Sequence, residues 1–294
     1  MPSLDDLKKR IKSVKSTQKI TKAMKMVAAA KLKKAQENAE KGRPYSEKLQ
    51  NIILNLTKSI SEDANAPKLL IGNGKDRVYL CVVLTADRGL CGGFNSNICK
   101  LAKKHFKNIL KEGKELKIIT VGSKGHDQIK AEYSDHIIDK KSFKEKKHIT
   151  FDEANEIGKK VIELYEQEQF DKCFIFYNNF KNVITQIPQA EQLIPTFLKK
   201  DDVSKNKDSI SSYEFEPDED EILEDLLPKN VSVQIFKAFL ENAASEQGSR
   251  MTAMDNATRN AGDLVDKLTI TYNRSRQASI TKELIEIISG AESL

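Results

Sequence analysis

The sequence has no tryptophan, and aromatic residues make up only 6% of its 294 positions. That scarcity excludes a thick core of large side chains through the whole chain, because aromatics bury the most area per residue. Hydrophobic residues reach only 39%, below the usual share, and charged residues 31%, above it. Long, solvent-washed helices account for such a balance. There are four cysteines, Cys81, Cys91, Cys99 and Cys173. None has CxxC spacing and no histidine cluster accompanies them, so no metal site is expected. Cys81 and Cys173 lie inside apolar runs and read as buried thiols, which points to a reducing compartment. No stretch of about 18 apolar residues occurs, so no membrane span is predicted. The opening Met1-Pro2-Ser3-Leu4-Asp5-Asp6 lacks the basic and apolar regions of a secretion signal, and its two acids argue against a transit peptide.

Charge is present in excess and is unevenly placed. The net charge is +6, yet residues 1–50 hold 14 Lys/Arg against 5 Asp/Glu, and residues 201–225 hold 2 Lys against 11 Asp/Glu. A basic end invites a nucleic-acid reading. The plainer reading is a solvated helix face, and the absence of nearby aromatics for base stacking favours it.

Residues 3 to about 55 read as one long helix. Ser3 can cap it, and Asp5 and Asp6 fall in the first turn, where the helix dipole favours acids. Leu4, Leu7, Ile11 and Val14 have coiled-coil spacing. The stripe is then expected to move to Ile20, Met24 and Val27, rotating the contact face. Gly42 and Pro44 are expected to kink or interrupt the helix. Residues 61–76 carry turn formers and read as a linker. The period then changes. Val78–Leu84, Leu116–Val121 and Lys172–Tyr177 are short apolar runs typical of buried strands, with Val183–Ile187 a fourth candidate. Helical segments at 95–112 and 151–168 alternate with them. The expectation is an α/β domain over residues 77–200 with a largely parallel sheet.

Residues 201–230 are acidic and polar and read as a loop with a short helix. From Val231 to Ile288 a helical pattern returns. Its seam is Phe236, Leu240, Ala243, Gln247, Arg250, Met254, Ala257, Ala261, Leu264 and Leu268. The fold class is therefore α/β plus a long coiled coil. The N-terminal helix (1–60) and C-terminal helix (231–294) pair antiparallel, and a Rossmann-like domain is inserted between them. Neither helix can bury its seam alone.

Three segments carry a family resemblance. Ser16-Thr17-Gln18-Lys19-Ile20-Thr21-Lys22-Ala23-Met24-Lys25-Met26-Val27-Ala28-Ala29 resembles the N-terminal signature of the gamma subunits of F-type ATP synthases. Leu84-Thr85-Ala86-Asp87-Arg88-Gly89-Leu90-Cys91-Gly92-Gly93-Phe94-Asn95 resembles their central motif. Ala244-Ser245-Glu246-Gln247 with Arg250-Met251, and Tyr272-Asn273-Arg274-Ser275-Arg276-Gln277-Ala278-Ser279-Ile280-Thr281-Lys282-Glu283-Leu284, resemble their C-terminal signature. The resemblance implies a central-stalk rotor with no catalytic residue and no cofactor. Its implied partners are an alpha3-beta3 hexamer, an epsilon subunit and a membrane c-ring, with one copy per complex. It also implies a peripheral position on the cytoplasmic side of a bacterial inner membrane. By the same resemblance, Lys22, Met24, Arg250, Arg276, Gln277, Thr281 and Glu283 contact the stator, with the segment around Met24 opposite the C-terminal motif. Lys19 and Lys25 join Lys22 in facing acidic stator surfaces. Tyr213 and Glu216 belong to a foot on the c-ring.

Two other classes are weighed. Gly89-Leu90-Cys91-Gly92-Gly93 follows a strand and mimics a phosphate-binding turn, as does Gly122-Ser123-Lys124-Gly125. Neither matches a dinucleotide or P-loop pattern, and a tight backbone turn is the better reading. His105, His126, His136 and His148 lie in polar surroundings away from any recognisable nucleophile motif and are expected on the surface. A nucleotide-binding α/β enzyme would bind nucleotide as an isolated chain. A nucleic-acid-binding coiled coil would bind DNA with a steep salt dependence.

Overall fold

The computed structural model describes residues 3–60, 67–146, 149–196 and 219–292. They form two compact units, one of Met1–Ala30 with Arg250–Leu294 and one of Lys31–Ser249. Helix α1 spans Leu4–Ile60. Short α2 follows at Lys68–Ile71, then β1 Val78–Leu84, α3 Phe94–Lys111, β2 Glu115–Val121, α4 Ser123–Tyr133, β3 Ile137–Lys141, α5 Phe151–Glu166, β4 Lys172–Phe180, β5 Gln186–Ile194 and α6 Glu219–Glu292. Among the described residues no helix is long and apolar enough to cross a membrane.

In the first unit α1 and α6 pair antiparallel. Thr21 and Thr258 hydroxyls lie 2.7 Å apart, Lys25 Nζ donates to Asp255 at 2.6 Å, and Gly262 faces the Gln18 side chain. Ser3 caps α1, its Oγ accepting the Asp6 N–H at 3.1 Å and donating to the Asp6 carboxylate at 2.7 Å. The seam does not rotate after Val14 as expected. Ile20 and Val27 are more than half exposed, while Gln18, Thr21, Lys25 and Ala28 are wholly or partly buried. The seven-residue spacing runs unbroken from Leu4 through Leu7, Ile11 and Val14 into these positions. A stripe of apolar letters misses it because its middle is polar. On α6 the seam takes Val265 rather than Leu264, which is 40% exposed.

The second unit repeats the spacing. Leu32, Ala39, Ser46, Leu49, Ile53 and Leu56 of α1 are buried, with Gly42 between them. A Cβ on Gly42 would sit 2.8 Å from Leu240 Cδ1, so this glycine admits a neighbour instead of breaking the helix. Helix α1 also continues through Pro44, which lies on the exposed face away from the seam. Only one backbone hydrogen bond is lost there, and seam packing on both flanks offsets it. For the same reason α6 starts at Glu219 and passes through Pro228. Leu223 and Leu227 are buried with Leu49, Ile53, Leu56, Leu70 and Val233, so residues 219–230 belong to the long helix and not to a separate short one.

The sheet has the order β3-β2-β1-β4-β5, with four parallel strands and β5 antiparallel at one edge. Strand β1 is central and buried on both faces, which is why VYLCVVL lacks alternation. Leu80, Val82 and Leu84 face a core shared with α5 and α6, and Cys81 and Val83 face one shared with α3 and α4. All four cysteines are buried free thiols. The strand expected at Val183–Ile187 is β5 and begins at Gln186; the Asn182 side chain accepts the Ile184 and Thr185 N–H groups and makes 182–185 a turn. The sequence reading missed α4 and β3, and residues 68–71 of its linker form α2.

Candidate functional site

In a doubly wound sheet, ligands bind outside the carboxyl ends of the strands, where strand order reverses. Here that point lies between β1 and β4, and the chain's own groups fill it. The last pairing of these strands is Val83 with Phe176, yet β4 continues through Phe180. Its unpaired backbone groups are met by side chains of α6. The Asn178 N–H donates to Asn242 Oδ1 at 3.1 Å, and Ser245 Oγ donates to the Asn178 carbonyl at 3.0 Å. The Phe180 N–H donates to Glu241 Oε2 at 3.1 Å. Glu241 Oε1 accepts Arg43 Nε of α1 at 2.7 Å, and Arg43 Nη2 reaches the Phe180 carbonyl at 3.4 Å. Positions 241, 242, 245 and 249 share one helix face, and Ser249 Oγ continues the row by donating to the Cys91 carbonyl at 2.7 Å. The Glu241 hydrogen bond raises the Arg43 pKa further above its ordinary value.

The glycine turns carry backbone and not ligand. Leu90 and Gly92 take positive φ, and Asn95 Oδ1 accepts the Ala86 N–H at 2.9 Å, closing the turn onto β1. A Cβ on Gly122 would sit 2.2 Å from the Thr85 carbonyl oxygen, and one on Gly125 2.4 Å from the Thr85 hydroxyl. The N-terminus of α4, where a phosphate would rest in a nucleotide fold, is met by Asp87. Its carboxylate accepts the Ser123 N–H, the Ser123 and Ser142 hydroxyls and the Phe143 N–H. Burial disfavours the Asp87 charge, but these hydrogen bonds outweigh it and hold the carboxyl below its ordinary range. Among the described residues no group of three His, Cys, Asp or Glu could hold a metal ion.

Among the described residues, the three histidines are not freely exposed. His105 is half-buried against the Phe174 and Phe176 rings, and burial, with Lys104 nearby, lowers its pKa. His126 Nδ1 meets the Thr120 hydroxyl and His136 Nδ1 the Leu116 carbonyl. His148, Tyr213 and Glu216 lie outside the described residues.

The candidate stator contacts lie on the first unit. Lys22, Arg276, Gln277, Thr281 and Glu283 are exposed, and Met24 and Arg250 partly so. Thr281 Oγ1 donates back to the Gln277 carbonyl at 2.9 Å. Two expectations change. Lys25 is engaged by Asp255 within the coiled coil, and its hydrogen bond lowers the Asp255 pKa. Met24 does not oppose the C-terminal motif: the pairing of 18 with 262, 21 with 258 and 25 with 255 sets Met24 level with residues near 256. The same register brings Leu4 level with Arg276, about 30 Å further along α6 at 1.5 Å per residue. Arg276 and Gln277 thus mark where α1 begins and α6 continues unpaired. Every residue from 281 to 291 is exposed, including Leu284, Ile285, Ile287 and Ile288. The sequence reading missed Arg43, Asn178, Glu241, Asn242 and Ser249. The available signal was polar letters, Asn178-Asn179 and Glu241-Asn242, inside otherwise apolar patterns.

The chain's ends thus pair as a coiled coil, and side chains of α6 fill the crevice of the α/β insertion. A family model described as ATP synthase matches residues 3–294. ATP synthase gamma chains of Pelagibacter ubique (strain HTCC1062) and Rhizobium etli (strain CIAT 652) are 71% and 56% identical, each aligned over the whole of both chains. The chain therefore belongs to the ATP synthase gamma chain family. Among solved structures, the Tetrahymena thermophila mitochondrial ATP synthase central stalk/c-ring holds a chain at 27% identity and TM-score 0.59, covering 81% of this chain and 99% of that one. A chain of the Euglena gracilis mitochondrial ATP synthase rotor shares the fold at 21% identity and TM-score 0.64, covering 94% and 98%.

Proposed function

We propose that this chain is the central-stalk rotor of a proton-driven F-type ATP synthase, turning with a c-ring inside an alpha3-beta3 hexamer and carrying no catalytic residue of its own. One observation carries the reading: α6 ends as a single helix, wholly exposed from 281 to 291 and rich in aliphatic residues. An isolated helical end of that length is marginal in water and calls for a surrounding partner. A bore lined by the hexamer supplies one, and full-length likeness to gamma chains supports it.

The mechanism follows from differential contact. A ligand shifts a conformational equilibrium only by its unequal interaction with the states. An asymmetric pair of helices among three equivalent beta subunits makes three different contacts at once, and rotation permutes them. Arg276 and Gln277 stand where the two-helix section becomes one helix, so the shaft's profile changes at their level. Arg276 offers a planar donor fork to a carboxylate at one rotary position. As an exposed pair it would contribute about 0–1 kcal/mol, enough for a latch and weak enough to release each turn. Lys22 and Met24, together with Arg250 on α6, form a second level of contact. Tyr213 and Glu216 are assigned to the c-ring foot. One copy per complex, an epsilon partner and a peripheral place on the cytoplasmic face of a bacterial inner membrane complete the reading.

The test is rotation. With the hexamer fixed and a probe on Lys107→Cys of α3, ATP should turn the probe in one direction. A probe that stays still in an active complex refutes the rotor, and ATP turnover by the chain free of beta subunit refutes its non-catalytic role.

A further inference from the structure

We infer that the Arg43–Glu241–Phe180 junction is the torque-transmitting joint between the α/β domain and the two long helices. This rests on the rotor reading and adds where the load crosses. A domain mounted only through apolar packing can slide, because hydrophobic contact is non-directional. Directional resistance needs hydrogen bonds whose geometry fails on displacement. Within the second unit the apolar core around Ile235 and Phe239 supplies adhesion, and the polar row supplies direction.

The geometry of the row suits that role. Glu241 contacts three elements: it sits on α6, takes the Phe180 N–H of β4 with Oε2, and takes Arg43 of α1 with Oε1. Its side chain is only 4% exposed, so the charge is held in a low-dielectric setting with both oxygens engaged. Arg43 closes the ring by reaching the Phe180 carbonyl. Asn242, Ser245 and Ser249 extend the row to Asn178 and Cys91. The partners on the sheet side are backbone atoms at strand or turn positions fixed by the sheet. A force on the α/β domain therefore leaves the sheet through main chain and enters both helices through side chains held by hydrogen bonds. Glu241 and Arg43 act as positioning residues; neither touches nucleotide.

The experiment uses the assembled complex, with a probe on Lys107→Cys; the four native thiols are buried and leave that label site-specific. In complexes stalled with the hexamer fixed, the angular variance of the probe reports the stiffness of its attachment. Arg43→Leu should raise this variance about two-fold and lower ATP-driven proton pumping relative to hydrolysis, because one corner of a cooperative network is gone. Arg43→Lys keeps the charge, loses the second contact to Phe180, and should fall between; it decides the matter if Arg43→Leu does not assemble. Val161→Ala, a cavity in the same core away from the row, should leave the variance unchanged. Unchanged variance in both Arg43 variants overturns the joint, as does an equal rise in Val161→Ala. A wild-type probe that does not turn at all breaks the rotor reading instead.

Discussion

Helix α6 leads two lives. Between residues 231 and 249 it is buried on nearly every side, packed against α1, α5 and the sheet, with Glu241, Asn242 and Ser245 bonded to β4. Between 254 and 279 only a narrow seam is covered, and from 281 to 291 every residue is exposed. A helix apolar or satisfied all round is a structural member, and one with a single narrow stripe leaves its remaining faces for other contacts. The same helix thus holds the domain in one stretch and presents a surface in the other. Substitutions should separate the two stretches by cost.

The largest difference is expected from truncation. Ile235→Ala removes a fully buried side chain and should cost about 2–5 kcal/mol, whereas Ile285→Ala, 58% exposed, should change the isolated chain by less than about 0.5 kcal/mol. Urea unfolding followed by circular dichroism measures both; similar costs would erase the contrast. Next comes steric intolerance. A Cβ on Gly158 of α5 would meet Ser232 Oγ of α6 at 2.3 Å, so Gly158→Ala should cost about 1–3 kcal/mol. Gly42→Ala meets only the flexible end of Leu240, and better helix propensity offsets the crowding, so its net effect should stay within about 1 kcal/mol of zero.

Acid should reach the second unit through Glu153. Its carboxylate accepts Lys146 and caps α5 through Thr150, which hold its pKa at about 2. A depressed carboxyl stabilises the fold fully above its unfolded pKa, about 4.3, and that contribution is lost as pH falls toward 2. The urea midpoint should therefore drop across that window, and Glu153→Gln should flatten the drop. The smallest effect belongs to the seam of the first unit. Lys25→Ala breaks a part-exposed pair with Asp255 and should lower the urea midpoint only slightly, by an amount that shrinks with added salt. A salt-insensitive loss would mean that packing, not charge, was removed.

Legibility in the sequence followed the strength of the local pattern. Strands β1, β2 and β4 were readable because each carries a buried apolar run, VYLCVVL, IITV and CFIFY. Strand β3, IIDKK, sits at an edge with alternating burial, and α4 is short and polar, so neither announced itself. Pro44 misled because a proline's local cost is fixed while the packing around it is set by residues distant in sequence. Arg276 and Gln277, the proposed contact residues, were legible only through resemblance. No periodicity marks them. The joint was not legible, since Arg43, Phe180 and Glu241 come together only once the sheet and both helices exist.

The pairing of Thr21 with Thr258 spans 237 positions of chain. During synthesis α1 leaves the ribosome with Leu7, Ile11, Val14 and Ala28 uncovered, and its partner strip is made only after the entire α/β insertion. At 5–20 residues per second that interval is on the order of 10–50 seconds, far longer than the microseconds a helix needs to form. The insertion's local strand pairs can close in the meantime, and the coiled coil of the first unit closes last. For that interval the newborn helix needs shielding from other apolar surfaces, and its dense lysines provide it through mutual repulsion.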